Sequence, residues 1–438
     1  MKKLIRVMLS TIVSGLLLSL PAFAEDMSND ELMQEIKALK ARINQLEQAL
    51  EKKDKKMEAF RAQKDEKIHQ VVLHPKERVP METKEKAEEE GFPWTDRISF
   101  SGLIEAEFSN EHHDLKDPGQ GFKPITRNSH DLILATVELG VDARINKYVT
   151  GHVLFLYEED ENNNNISIDE GIIMLGGIEE TYGLYFLGGK YYPHFGELNS
   201  WFVSDPLTLE IFEIQQTAAQ VGHEGKWFTA GVGAFSGDVE KKSRTENRIN
   251  GYFADINIHP PEDLLGGVSM LAGVSYLSNV ADSDTLQDEI RDVNGDGTIN
   301  DINHYVHGIA AYLVLEYDKY SFGAEYITAL HSFEPGEMAF ATDKLGNFRN
   351  TEPSAWNFEL AYRPVDILQL GLKYEGTDDM FGLNPEHQYG GVISWELFKY
   401  TTLSAEYLHG KYAEDNLNAD GMNEDKRDLM TLQLAVEF

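Results

Sequence analysis

The sequence predicts an all-β fold, a transmembrane antiparallel β-barrel of about sixteen strands preceded by an α-helical coiled coil. Three observations lead there. Sixteen segments beyond residue 96 alternate apolar and polar residues, a period that sends neighbouring side chains to opposite faces of a strand. The connections between them alternate long and short, as in a membrane barrel with tight turns at one end and longer loops at the other. The last segment, 428–438, places Met430, Leu432, Leu434, Val436 and Phe438 on one face and finishes on an aromatic, the pattern of a lipid-facing strand that closes such a barrel.

Residues 1–24 carry Lys2, Lys3 and Arg6, then an apolar run, then Ala22-Phe23-Ala24. This is the layout of a secretory signal peptide. No cysteine is present, which excludes disulfides and a thiol-linked lipid anchor. The formal charge of −35 becomes −38 once those three cations are removed, a balance that excludes nucleic acid as a partner. Residues 25–63 read as a periplasmic coiled-coil helix: Leu32, Leu39, Leu46 and Phe60 share one heptad position and Ile36, Ile43, Leu50 and Met57 the other, with Lys53 interrupting the seam. Self-association through this helix is expected. Residues 64–96, charged and carrying Pro75, Pro80 and Pro93, form a linker. No apolar stretch beyond the signal is long enough for a membrane helix, so if the chain crosses a bilayer it does so with strands.

The predicted strands run at about 97–109, 131–144, 148–158, 166–176, 181–190, 213–224, 227–237, 249–258, 267–277, 305–317, 320–331, 354–363, 366–376, 387–397, 400–410 and 428–438. The expected long loops include 110–130, 191–212, 238–248, 278–304, 332–353 and 411–427. All fourteen prolines are expected outside the strands, because proline cannot donate to a ladder. Aromatics gather at strand ends, as in Tyr317, Tyr320, Phe398 and Tyr400, the position of an interfacial girdle.

Apolar residues are assigned to lipid and polar ones to the lumen. The lumen-facing set comprises Glu105, Glu107, Glu138, Asp142, Glu316, Glu325, Glu359, Arg363, Lys373, Glu375 and Glu406. Acids dominate it, and sixteen strands leave room for water, so the expectation is a pore for cations or polar solutes. The alternative is that these acids only solvate the lumen. Loop 191–212 is unusually apolar, with Trp201, Phe202, Leu207 and Ile211. It is expected to fold inward and narrow the pore, offering His194, Glu197, Asn199 and Asp205 to solute, or else to pack over the rim or on a neighbouring subunit.

In RDVNGDGTINDIN, Asp292, Asn294, Asp296, Thr298 and Asn300 occupy the first five ligand positions of a twelve-residue calcium loop, with Gly297 at the turn. Asn303 stands where a bidentate acid belongs. Bound Ca2+ ordering an exposed loop and a solvated acidic loop both remain open. No organic cofactor is implied. His304 and His307 lack partners of fixed spacing and the strand serines have no histidine mate, so the chain is not read as an enzyme.

The order of signal, coiled coil, linker and barrel, with the stretch GELNSWFVSDPL at 196–207, resembles the siderophore porins of the LbtU type. The resemblance implies a bacterial outer-membrane channel, in contact with outer-membrane lipid and lipopolysaccharide, that admits ferric siderophore passively and without a plug. It carries over no binding residues. The acidic lumen sits uneasily with anionic ferric siderophores unless Arg363 and Lys373 concentrate at the constriction. A general or cation-preferring porin for polar nutrients is the alternative, and an envelope tether acting through the coiled coil is a third.

Overall fold

The computed structural model describes residues 97–117, 121–159, 165–178, 181–239, 241–242, 249–291, 302–343, 345–413 and 422–438. The signal, coiled coil and linker lie outside the described residues, as do Asp292, Asn294, Asp296, Thr298 and Asn300.

Sixteen antiparallel strands close into one barrel, each pairing with its sequence neighbours and β1 with β16. They are β1 (Ile98–Asp117), β2 (Lys123–Asn146), β3 (Val149–Tyr157), β4 (Ser167–Gly176), β5 (Leu184–Tyr191), β6 (Gln216–Glu224), β7 (Phe228–Phe235) and β8 (Gly251–Ile258). The second half is β9 (Ser269–Leu277), β10 (Gly308–Tyr317), β11 (Tyr320–Ala329), β12 (Ser354–Val365), β13 (Leu368–Asp378), β14 (His387–Phe398), β15 (Thr401–Lys411) and β16 (Asn423–Glu437). Two short helices, α1 (Leu207–Phe212) and α2 (Asp284–Asp288), belong to loops. Every predicted strand is present.

The closing seam shows how the pattern becomes structure. Phe108 pairs with Leu432 and Ile104 with Val436 across β1 and β16, so apolar side chains of both strands share the outer face. Gly102 and Phe438 exchange backbone hydrogen bonds of 2.9 and 3.0 Å. The Phe438 ring lies over Gly102, where a Cβ would come within 2.2 Å of it. At the tight-turn end Tyr317 pairs directly with Tyr320, leaving two residues to reverse the chain, and Asp318 takes φ +53°, a left-handed conformation that aspartate tolerates.

The structure corrects the predicted boundaries in three places. Residues 110–130 are mostly not loop: β1 and β2 continue as a long hairpin, with His112 opposite Asn128 and Leu115 opposite Ile125. Strand formation there needs only backbone pairing, while the apolar alternation marks only the part meeting lipid. The same reason makes β16 begin at Asn423 instead of 428. Two prolines also lie within strands, Pro124 at the second residue of β2 and Pro364 next to the end of β12, where the register shifts. Strand ends and bulges are where a missing donor costs least.

The buried apolar core is supplied largely by loops at the long-loop end. Phe195, Ile211, Phe212 and Ile214 of the third loop pack with Val280, Leu286, Ile290, Ile302 and Val306 of the fifth, with Phe333, Met338 and Phe340 of the sixth, and with inward side chains such as Phe235 and Ile327. The expectation of a barrel without a preceding plug therefore needs a complement: the loops carry a packed core of their own.

Candidate functional site

The third loop, between Tyr191 and Gln216, runs along the inner wall. Side chains reaching it come from positions that alternate with exposed ones: Glu325 beside Tyr326, Glu359 between Phe358 and Leu360, Glu406 beside Tyr407. The exposed set faces out, so the carboxylates point into the lumen and the loop lies inside the barrel.

Those carboxylates hold the loop by its backbone. Glu325 on β11 accepts the amides of Glu197 (2.6 Å) and Leu198 (3.3 Å) and the Thr208 hydroxyl (2.8 Å). Glu359 on β12 accepts the Ser200 hydroxyl (2.6 Å) and the Trp201 amide (2.8 Å). Glu406 on β15 accepts the Val203 amide (2.7 Å) and the Ser204 hydroxyl (2.5 Å), and Glu375 on β13 the Leu207 amide (2.9 Å). The loop's irregular backbone has no ladder to join, and buried N–H groups demand partners. Ionised acceptors make the stronger class of such bonds.

One cation lies among these acids. Lys373 on β13, fully buried, is 3.5 Å from Glu359 and 3.7 Å from Glu375. It donates to the Ser204 carbonyl at 3.2 Å and lies 4.8 Å over the Phe202 ring. Glycines let the loop approach: a Cβ on Gly323 would meet the Trp201 ring at 3.1 Å, and one on Gly371 the Phe202 ring at 3.1 Å.

Of the loop residues predicted to meet solute, His194 is 3.5 Å from Asp255, and Glu197 accepts the Asn199 side-chain amide at 2.7 Å. Asp205 is exposed, and it lies within Coulombic range of Glu105 and Glu107 on β1 and of the buried Lys373. Glu105, Glu107, Glu138 and Asp142 remain partly exposed on the β1–β2 wall. Glu107 accepts from Gln433 at 3.2 Å and Asp142 is 2.8 Å from His152.

The predicted residues thus separate into two groups. Glu325, Glu359, Glu375, Glu406 and Lys373 are covered by the loop, whereas Glu105, Glu107, Glu138 and Asp142 are partly exposed and Asp205 is exposed. Glu316 and Arg363 lie near the tight turns: the Arg363 amide donates to Lys319 of the Asp318 turn, and Ser321 is 3.5 Å from Glu316. The two bases are therefore not gathered at the constriction. Asn303 donates its amide to Glu337 (2.6 Å) and its side-chain nitrogen to Glu334 (2.5 Å), tying the fifth loop to the sixth.

Sequence reading missed Asp169, Asp255 and Ser275, which anchor the loop's flanks. Tyr192 donates to Asp169 at 2.8 Å, and the Gly196 amide to Ser275 at 3.2 Å. Ser275 in turn donates to Asp255 at 3.0 Å. Strand parity alone marks Asp255, which alternates with exposed Tyr252 and Ile256 about Ala254 on β8.

A closed sixteen-strand barrel with an inward-folded third loop has the fold of outer-membrane porins. The anion-selective porin of Comamonas acidovorans superposes with a TM-score of 0.52 at 8% identity, covering 78% of this chain and 99% of that one. OprB of Pseudomonas putida gives 0.50 at 11%, covering 78% and 95%. No family model matches the chain. Its homologues are UPF0422 proteins: one from Legionella pneumophila strain Lens is 27% identical over 335 residues, covering 71% of this chain, and one from Coxiella burnetii is 24% identical over 345 residues, covering 76% of this chain and 68% of the relative. The chain spans 58% of the length of the Legionella relative.

Proposed function

We propose that this protein is a passive outer-membrane channel whose constriction prefers cations and polar solutes carrying positive charge. The observation that carries the reading is Asp205, exposed on the loop and within Coulombic range of Glu105 and Glu107, whereas Lys373, a cation near it, is buried under the loop and neutralised there by Glu359 and Glu375, and Arg363 lies near the tight turns. A passage bordered by one sign of charge concentrates the opposite ion. Reversal potentials across planar bilayers in a KCl gradient test it: potassium is expected to be more permeant than chloride, with the preference reduced in Asp205→Asn and further in Asp205→Asn with Glu105→Gln. Equal permeability of the two ions in the unaltered channel would sink the reading.

The resemblance to siderophore porins offers a ferric siderophore as the solute. An acidic constriction suits a neutral or cationic ferric chelate and repels an anionic one. Uptake of radiolabelled ferric siderophore by cells with and without the protein, with energised outer-membrane transport disabled, decides between that solute and a general cation-preferring pore. A tether acting through the coiled coil predicts instead no solute-dependent phenotype and loss of function on deleting residues 29–60.

A further inference from the structure

The long hairpin of β1 and β2 leaves a strand edge that ion conduction does not use. β2 pairs with β3 only from Val137 onward. Residues 123–133 pair with β1 on one side and, among the described residues, with no strand on the other. Residues 123–132 are all exposed, Leu132 by 74%. The direction of their backbone groups follows from the closing seam. Gly102 exchanges both its hydrogen bonds with Phe438 of β16, so even-numbered residues of β1 turn their N–H and C=O toward β16 and odd-numbered ones toward β2. Glu111 stands opposite Ser129 and His113 opposite Arg127. The odd residues of β2 therefore bond to β1, and Thr126, Asn128, His130 and Leu132 turn their backbone groups to the open edge. Leu134, next in that series, reaches Glu159 in the same direction: its amide donates to the carboxylate at 2.7 Å and its carbonyl accepts the Glu159 amide at 3.3 Å. The Leu132 amide is capped by the Asp131 carboxylate at 2.8 Å. A row of outward donors and acceptors is a template for another strand.

We propose that this edge pairs with the same edge of a second copy of the chain, antiparallel about a two-fold axis at Ser129. Such a contact needs a segment complementary to its own reverse. With Ser129 opposite Ser129, Arg127 faces Asp131 and Ile125 faces Ile133, each twice, while Thr126 with Leu132 and Asn128 with His130 exchange backbone hydrogen bonds. Opposite charges and apolar side chains set directly across a ladder both stabilise it. Arg127 of one copy takes the Asp131 carboxylate of the other, which releases the Leu132 amide to the Thr126 carbonyl. An axis at Asn128 would set Ile125 against Asp131, and one at Arg127 would set that cation against itself. Pro124, which has no N–H, ends the ladder. The chain is strongly acidic, yet residues 110–130 balance Glu111, Asp114 and Asp117 with Lys116, Lys123 and Arg127, so two hairpins approach without net repulsion. Antiparallel pairing turns one barrel over relative to the other. The copies therefore meet long-loop end to long-loop end, in two facing membranes and not side by side in one. The inference rests on the barrel spanning a membrane and is independent of what passes through it.

The chain has no cysteine, so a single introduced one reports the register. In the full chain in detergent, Ser129→Cys is expected to give a disulfide-linked dimer under mild oxidation, because the axis residue meets its own copy with Cα atoms roughly 4.5 Å apart. Thr126→Cys is expected to give none, since its copies lie about 20 Å apart in that register, six residues at about 3.4 Å each. Adding Arg127→Asp to Ser129→Cys should cut the dimer yield about tenfold, and adding Asp131→Arg to both should restore it. In lipid vesicles with the long loops outward, the unaltered protein is expected to cluster the vesicles, read by dynamic light scattering, and Arg127→Asp to leave them single. No dimer from Ser129→Cys, equal dimer from Thr126→Cys, no rescue by the second reversal, or single vesicles with the unaltered protein would each overturn the pairing. Conductance of every variant in planar bilayers reports a folded barrel; a preparation that dimerises through Ser129→Cys but conducts nothing would refute the channel and leave the pairing standing.

Discussion

Replacing Glu325 by alanine removes the first of the four wall glutamates met along the inward loop. The carboxylate accepts two backbone amides, from Glu197 and Leu198, and the Thr208 hydroxyl, and it is 7% exposed. Hydrogen bonds to a charged group contribute roughly 1.5–3 kcal/mol each. Taking away a buried carboxylate also removes its desolvation cost, several kcal/mol, so the net loss of loop docking is about 3 kcal/mol. At 1.4 kcal/mol per decade that is roughly a hundredfold shift toward a detached loop. In single-channel recordings Glu325→Ala is expected to add a noisy, higher-conductance state, and limited proteolysis is expected to cut between residues 193 and 206, which the unaltered protein resists. Glu325→Gln, which keeps one acceptor oxygen and the shape, should fall between. Unchanged conductance together with unchanged protease resistance in the alanine variant would refute the idea that the wall acids hold the loop.

Three further outcomes are expected. Gly371→Ala places a Cβ 2.6 Å from Val392 and 3.1 Å from the Phe202 ring; overpacking of this kind costs about 1–3 kcal/mol and should lower the thermal midpoint of the folded barrel. Asp282, in the fifth loop, accepts from the Val239 amide at 2.9 Å and from Asn279 at 3.0 Å, and burial pushes its carboxyl up to about 7. The folded state then binds more protons than the unfolded between about pH 4 and 7, so stability falls as pH rises through that window; hydrogen exchange of the Val239 amide should be slower at pH 5.5 than at pH 8 after correction for intrinsic rates, and Asp282→Asn should flatten the difference. If the fifth loop binds calcium, chelation should speed proteolysis within 292–303, and Asp292→Asn with Asp296→Asn should make the loop insensitive to added calcium.

Much of this was legible in the residues. Sixteen strands follow from alternation because lipid demands an apolar outer face, and the tight turns follow from short gaps such as Asp318-Lys319. The extension of β1 and β2 was not legible, since His112, Asn128 and their neighbours are polar on both faces once the strand leaves the bilayer. The destination of the lumen acids was hidden for a different reason. Parity placed Glu325, Glu359, Glu375 and Glu406 on the inner face, but a carboxylate exposed to water and one accepting backbone amides are the same letter in a sequence. The apolar character of loop 191–212 hinted at burial; which strands would receive it depends on three-dimensional curvature that no local pattern encodes.

The covering of four wall acids by the loop makes the passage electrically lopsided. On the β11–β15 side, peptide dipoles and one ammonium answer the carboxylates, leaving Asp205 to project. Across the gap, Glu105, Glu107 and Glu138 are partly exposed. If solute passes here as proposed, a molecule with separated charges would feel a sideways field and turn its positive end toward β1 and β2, so that such a channel would select by orientation as well as by charge.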